Sequence, residues 1–447
     1  MSDKTNTNLM TEGDYRVKII KFALPVFIGH LFQQLYNTAD SFIVGNYLGP
    51  NALAAVSSVG PLVFLLVGFF MGFSMGASII IARYIGAKND KMTSRTVHTA
   101  IAMGLAFSVV LTVIGVTMSP TFLKWLGTPS EVMVEANTYL RIFFMGISSL
   151  IMYNTFVSIL QASGDSKHPL YYLVCSSLIN VVLDIVFIGY FDMGVDGAAT
   201  ATVISQSISA LLALYKLLTT DEAIKVKLSK IRFHHDVLAS IIRFGLPTAL
   251  QASVIDLANL LIQSYINSFG NLAMAGVGVS NKIEGFSFLP VTAFSMAMST
   301  FISQNIGANK MDRVRKGINF GILASIISIE AIGLVYWLLA PQIISLFNGD
   351  PTVITYGATR ARICSPFYFL MGFSHVASAI MRGVGKPNVP MVVMLFCWCA
   401  VRVISLFTIG RIYHFIELAF WLYPITWFLS SLIYTLYMNH LKKEGVL

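Results

Sequence analysis

Long runs of apolar residues alternate with short polar stretches along the whole chain. A helix needs about 20 apolar residues to cross a bilayer, and twelve runs reach that length. They cover residues 17–45, 53–82, 94–118, 133–162, 168–190, 194–218, 237–268, 271–304, 313–339, 353–381, 386–410 and 415–440. Several reach about 30 residues, which indicates tilted, kinked or protruding helices. The pattern predicts an all-α polytopic membrane protein with twelve transmembrane helices.

The composition supports this prediction. Of 447 residues, 56% are hydrophobic and 11% are charged, whereas soluble domains carry about 25% charged residues. The first fifteen residues are polar and lead directly into the first run, so we expect no cleavable signal peptide.

The basic residues are concentrated at alternate ends of the predicted spans. Of the 30 lysines and arginines, 23 lie at one set of ends, and only Lys124 and Arg411 mark the other. This bias follows the positive-inside rule and predicts that both termini are cytoplasmic. The net charge of +9 therefore reflects membrane topology, and we expect no nucleic-acid partner.

The second half of the chain repeats the first at an offset close to 221 residues. Matching pairs include Pro25 with Pro247, Gly86 with Gly307, Pro120 with Pro341, Arg141 with Arg362, and Gly164 with Gly385. Each half holds six spans, so the halves enter the membrane from the same side, related by a pseudo-two-fold axis along the membrane normal. We therefore predict an N-terminal six-helix lobe (1–218), a cytoplasmic linker (219–236) and a C-terminal six-helix lobe (237–447).

Pro25 and Pro247 lie inside predicted helices. Each removes one backbone hydrogen bond and favours a kink. The sequence leaves open whether the kink is a static bend or a hinge, and both prolines are hinge candidates.

Buried acids are the strongest sign of function. A carboxylate within a span costs about 2.5–3.5 kcal/mol on the insertion scale. Asp40 shares a helix face with Gln33 and Tyr36, and Asp184 has Asn180 one turn before it. Two carboxylates in one buried pocket do not both ionise cheaply, so we expect Asp40 and Asp184 to load and release a proton.

Further polar and apolar side chains are secondary candidates. Asp256 and Glu284 form either a second cation site or structural pairs, such as Glu284 with Lys282 or a neighbouring arginine. Arginines near helix starts, Arg360 among them, are expected to extend toward the interface. Five side chains are candidates for lining the substrate site, by analogy with adaptable Met-rich surfaces: Gln33, Met296, Met298, Phe286 and Phe288.

Enzyme signatures are missing from the sequence. It contains no P-loop, no His/Cys metal spacing and no GxSxG elbow. We therefore expect no enzyme activity, no cofactor and no bound metal other than a transported Na+, and transport that draws on an ion gradient.

Several motifs resemble the multidrug and toxic compound extrusion (MATE) family. They are the stretch 34–45 (QLYNTADSFIVG), Ala54-Ala55-Val56, Gly86-Ala87, and the paired segments 161–169 and 382–390. The similarity spans both halves and implies two six-helix bundles with cation-driven drug efflux. The chain looks closest to the prokaryotic DinF-like branch, where the residue matching Asp40 is the proposed protonation site. The resemblance assigns its network here to Tyr36, Tyr139, Asn154, Asn180, Asp184 and Thr202.

The resemblance and the residues together predict a monomeric, multi-pass antiporter of the prokaryotic plasma membrane. It would export amphipathic, cationic, drug-like compounds in exchange for H+, with protonation of Asp40 driving release. Two alternatives stay open: a Na+-coupled antiporter using Asp256, and a flippase for lipids or lipid-linked oligosaccharides.

Overall fold

The computed structural model describes residues 9–447, apart from the side chains of Pro50, Pro61, Phe64 and Leu65. Within these residues the chain forms sixteen α-helices joined by short loops. They are α1 (Tyr15–Tyr47), α2 (Pro50–Gly86), α3 (Asp90–Trp125), α4 (Met133–Met145), α5 (Ile147–Ala162), α6 (Lys167–Asp184), α7 (Val195–Thr219), α8 (His235–Asn267), α9 (Asn271–Ser287), α10 (Leu289–Gly307), α11 (Met311–Ser345), α12 (Pro351–Cys364), α13 (Tyr368–Val384), α14 (Asn388–Met394), α15 (Arg402–Ile412) and α16 (Ile416–Lys443).

These helices confirm the predicted all-helical membrane fold. Among the described residues, eleven helical segments are long and apolar enough to span a bilayer. The twelfth is the pair α4 and α5, which are bent by 48° relative to each other. The bend lies at Gly146, where the side chain of Val203 fills the space that a side chain would need. Each predicted run corresponds to one of these spans.

Two short π-helical segments, the 3-10 turn Ser365–Phe367 and a kink interrupt the spans. The π segments are Ile185–Tyr190, directly after α6, and Leu395–Val401, directly before α15. The kink is at Leu339 of α11, whose φ of −106° and ψ of 15° are not helical. It lies two residues before Pro341, which cannot donate the next backbone hydrogen bond.

The helix boundaries follow the repeat. Helix α2 begins at Pro50 and α9 at Asn271, 221 residues later. The same interval separates the starts of α3 and α11, of α5 and α13, and of α7 and α16. The repeat in the sequence is therefore a repeat in the structure.

The chain forms two compact units. The first unit contains Ile28–Ala249, and the second unit contains Met10–Phe27 together with Leu250–Leu447. Helices α1 and α8 each contribute to both units, and they change unit two residues after Pro25 and two residues after Pro247. These boundaries differ from the lobes and linker drawn from the sequence (1–218, 219–236 and 237–447), which follow the order of the spans.

The segment predicted as a linker packs within the first unit. Ile224 and Val226 are buried, and the Lys227 N–H donates to Nε2 of His98 at 3.0 Å. The segment contains one 3-10 turn, Leu228–Lys230. Residues 219–236 are therefore held by the first unit on both sides of this turn.

The start of α8 packs against α2 through small residues. Gly76 of α2 lies against Gly245 and the carbonyl of Ile241, and Gly72 lies against Ala249. Small residues spaced four apart allow two helix backbones to approach closely inside a membrane. This contact holds the first half of α8 within the first unit.

Candidate functional site

Asp40 and Asp184 meet in the first unit. Asp40 lies on α1 and Asp184 is the last residue of α6, and their carboxyl groups lie close enough to interact directly. A hydrogen bond between two carboxyl groups needs a proton on one of them, because an ionised carboxylate only accepts. Two carboxyl groups in direct contact therefore suit a shared proton.

The same pair has hydrogen-bonding capacity to spare. Asp184 is fully buried, and the Oδ1 atoms of Asp40 and Asp184 both have no hydrogen-bond partner among the described residues. Unsatisfied buried oxygens are costly, so they favour a bound proton or a small cation. Such a pair is suited to binding and releasing a proton or a small cation in turn.

Asn180 connects Asp184 of its own helix with the backbone of Thr202. With its amide oriented to satisfy both neighbours, Asn180 donates to Oδ2 of Asp184 at 3.2 Å and accepts from the N–H of Thr202 at 3.3 Å. Thr202 in turn lies beside the phenol of Tyr139. Helices α4, α6 and α7 therefore meet at one polar cluster, which we call the carboxylate cluster.

Tyr36 joins this cluster through a residue that sequence reasoning missed. Its phenol lies beside the side-chain amide of Gln206 of α7, and Oε1 of Gln206 has no partner among the described residues. Gln206 follows Thr202 by four residues and so shares its helix face. This spacing was the available signal, although amides on helix faces are too common to select one alone.

Two predicted members have other partners. Asn154 donates within its own helix to the carbonyl of Leu150 at 2.8 Å. Gln33 lies 3.4 Å from Nδ1 of His30, one turn earlier on α1. The structure places both residues in the first unit, but neither bonds to Asp40 or Asp184.

The structure does not bring Asp256 and Glu284, the candidate second cation site, together by any hydrogen bond among the described residues. Glu284 forms an ion pair with Arg360, so its charge is already neutralised. Arg360 is 2% exposed, and the expectation that it extends to the interface is wrong, because a partner 76 residues away in sequence draws it inward. Asp256 is exposed and has no hydrogen bond or ion pair within the described part of the chain.

The candidate substrate-lining residues divide into packed and partly open positions. Met298 is fully buried and its thioether fills the space beside Gly321, so its assignment to a substrate surface is wrong. Phe288 packs edge-on against His375, with ring centres 4.6 Å apart, and Met296 packs against the same core. Phe286 is half-buried.

Glu330 has a structural partner. Its Oε2 accepts from the N–H of Phe369 at 2.8 Å, in the first turn of α13. A carboxylate at a helix start satisfies a free backbone donor and complements the helix dipole. Glu330 therefore holds two helices together.

The twelve-span fold, with a pair of carboxyl groups between its spans, is that of a membrane transporter. The family model MatE matches residues 25–186 and 247–408, one match in each half, so the chain belongs to this family. Its members are transporters, not enzymes.

Individual relatives are similar to this chain over most of its length. The probable multidrug resistance protein YoeA of Bacillus subtilis (strain 168) is 30% identical over 437 residues, which covers 95% of this chain and 94% of that protein. The probable multidrug resistance protein NorM of Thermotoga maritima is 24% identical, covering 87% and 84%. A solved outward-facing structure of a multidrug resistance MATE family transporter of the MOP superfamily superposes with a TM-score of 0.91 at 23% identity, covering 99% of each chain.

Proposed function

We propose that this protein exports amphipathic, cationic organic compounds across the prokaryotic plasma membrane in exchange for H+. The observation that carries the proposal is the close pair of carboxyl groups, Asp40 and Asp184, on two membrane spans. The names of the relatives support drug-like substrates, and the distribution of basic residues supports cytoplasmic termini. We further propose that the protein works as a monomer in the lipid bilayer, with H+ as coupling ion and no cofactor.

The carboxylate cluster supplies a route for coupling. Loading a second proton onto the pair removes the remaining negative charge that Asn180 stabilises by donation to Asp184. The hydrogen bonds from α1 to α6 then weaken, and α1 is free to bend. Pro25 suits a hinge, because α1 passes from the second unit to the first just after it. Bending there moves Tyr36 and Asp40 together and releases the substrate.

Efflux from proteoliposomes under an imposed pH gradient tests this proposal. We expect Asp40→Asn to abolish proton-driven efflux, because asparagine cannot carry the proton that Asp40 shares. The matched control is Asp192→Asn, the same change on an exposed loop residue of the first unit, which should leave efflux unchanged. Undiminished proton-driven efflux by Asp40→Asn would overturn the proposal.

A second arm replaces the pH gradient by a Na+ gradient. Carboxylate, amide and hydroxyl oxygens also suit a hard cation such as Na+, and the cluster around Asp184 contains all three kinds. Efflux driven by Na+ alone, and lost in Asp40→Asn, would keep the site and replace the coupling ion. Substrate movement without any coupled ion flux would instead indicate a uniporter.

A further inference from the structure

The second unit contains a buried cluster with the opposite charge to the first. Arg360 of α12 and Arg402 of α15 are 2% and 1% exposed. Glu284 is paired with Arg360 and also interacts electrostatically with Arg402. A guanidinium does not lose its proton in proteins. Two guanidinium groups and one carboxylate leave this cluster, which we call the arginine cluster, with one positive charge in excess.

Arg402 has only neutral partners in direct contact. Its Nε donates to Oγ1 of Thr426 at 2.9 Å, and its Nη1 donates to Oδ1 of Asn259 at 3.4 Å. Its Nη2 has no hydrogen-bond partner among the described residues, and neither has Nε of Arg360. A buried charge costs several kcal/mol unless an opposite charge offsets it. An anion at Nη2 of Arg402 would supply that offset.

Aromatic rings hold the Arg402 guanidinium in place. Its Cζ lies 4.4 Å from the ring centre of Tyr423 and 4.9 Å from that of Trp398. Rings at this distance attract the cation through their π faces. A fixed planar guanidinium presents its donors in the geometry that matches a carboxylate. The site is therefore preorganised for a planar, singly charged oxyanion.

One side of the arginine cluster is open. Asn259, which accepts from Arg402, is an exposed residue of α8, and the side chain of Glu284 is 15% exposed. A Cβ added at Gly285 would meet nothing within 4 Å. Glu284 and Asn259 therefore form the accessible edge of the cluster, where the apolar body of a ligand would lie with its charged end toward Arg402. Exposed Asp256, three residues before Asn259, disfavours a second negative charge on that ligand.

Two members of each cluster occupy corresponding positions in the repeat. At the interval of 221 residues that separates the helix starts, Tyr139 corresponds to Arg360 and Thr202 corresponds to Tyr423. Asp184 directly precedes one π segment and Arg402 directly follows the other, and such segments occur frequently at functional sites. The duplicated scaffold therefore holds a polar cluster in each half, acidic in the first and basic in the second.

We propose that the arginine cluster binds the carboxylate of an amphipathic organic acid, with Arg402 as its principal contact. This inference goes beyond the proposed function, because it concerns a ligand charge opposite to that of a cationic drug and a different half of the chain. It is tested by binding alone, so its failure and a failure of proton coupling are distinguishable.

The test compares two ligands that differ only in charge. Purified protein is titrated with 1-naphthylacetate and with its neutral amide, 1-naphthylacetamide, and both the dissociation constant and the shift in melting temperature are measured. We expect the acid to bind at least tenfold more tightly than the amide and to raise the melting temperature. Equal binding of acid and amide by the unaltered protein would overturn the proposal.

Variants locate the site. Arg402→Gln should weaken binding of the acid at least tenfold, and Arg402→Lys should give an intermediate loss, because lysine keeps the charge without the planar donors. Arg411→Gln is the matched control, an exposed arginine on the same helix, and should change nothing. Asp256→Asn should tighten binding of the acid. Acid binding that survives both Arg402 variants, or that falls equally in Arg411→Gln, would contradict the assignment.

Competition separates two sources of an oxyanion. The phosphate of an anionic lipid shares the chemistry of a carboxylate, so dihexanoyl phosphatidylglycerol is added against bound 1-naphthylacetate. We expect displacement only at concentrations at least tenfold above those of the acid. Displacement at equal or lower concentration would assign the cluster to a lipid headgroup and overturn the proposal.

Discussion

The close approach of α2 and α8 gives a prediction whose size follows from the geometry. In Gly76→Ala, the added Cβ would lie 2.5 Å from the backbone nitrogen of Gly245, 2.7 Å from its Cα and 3.1 Å from the carbonyl oxygen of Ile241. Carbon atoms in contact prefer about 3.5–4.0 Å. All three neighbours are backbone atoms, so no side chain can rotate away and the helices must separate by about 1 Å. Overpacking of this kind typically costs about 1–3 kcal/mol.

A matched variant on the same helix removes the main confounding effect. Alanine is favoured over glycine inside a helix by about 1 kcal/mol, which offsets part of the clash. Gly68 lies two turns before Gly76 on α2, and a Cβ there would meet nothing within 4 Å. Gly68→Ala should therefore gain the same helix propensity without the clash, and the difference between the two variants measures packing alone.

Thermal unfolding in detergent measures this difference. We expect Gly76→Ala to melt at a lower temperature than Gly68→Ala, by the equivalent of about 1–3 kcal/mol. We also expect Gly68→Ala to melt at or above the temperature of the unaltered protein. Equal melting temperatures for the two variants would refute the conclusion that α8 is anchored on α2 by backbone contact.

Two further predictions concern a buried ion pair and the hydrogen bonds that Arg313 makes to the segment before α1. Glu284→Gln should lower the free energy of unfolding by about 3–5 kcal/mol, because it leaves Arg360 buried without a countercharge. The control Glu330→Gln weakens only one helix cap and should lower it by about 1 kcal/mol. Equal losses of stability in thermal unfolding would contradict the ion pair between Glu284 and Arg360. Arg313→Ala should speed protease cleavage of the segment before α1, because Arg313 donates to the carbonyls of Met10, Glu12 and Gly13. An unchanged cleavage rate would show that these hydrogen bonds do not hold the segment in place.

The spans were predictable because each one is marked by residues that are adjacent in sequence. Burial in hydrocarbon requires a continuous apolar run, and no distant residue is needed to recognise it. The fourth run, 133–162, thus coincides with α4 and α5. The bend at Gly146 was not predictable, because it depends on Val203 of α7, a contact between residues far apart in sequence. The exchange of α1 and α8 between the two units is unpredictable for the same reason.

The candidate site was predictable where the cost of burial was high. Asp40 and Asp184 stand out because an ionisable group in a span needs a reason to be there, and the structure brings them together. Gln206 was missed because burying an amide in a span costs less free energy than burying a carboxylate, and buried amides are more common. Arg360 was misjudged because its position near a helix start suggested an easy route to water, while its partner Glu284 lies on another helix.

The two halves of the chain show why a family match does not assign a residue's role. The family model matches both halves over ranges of equal length, because it recognises the packing that the duplication preserved. Packing positions tolerate few changes, since a poorly filled interior is costly. A polar cluster inside the bundle needs only that its own charges and hydrogen bonds be satisfied. The first half therefore holds the pair Asp40 and Asp184, whereas the second half holds Arg360 and Arg402 on the same scaffold. The ligand of each half follows from its own buried charges, not from the repeat that positions them.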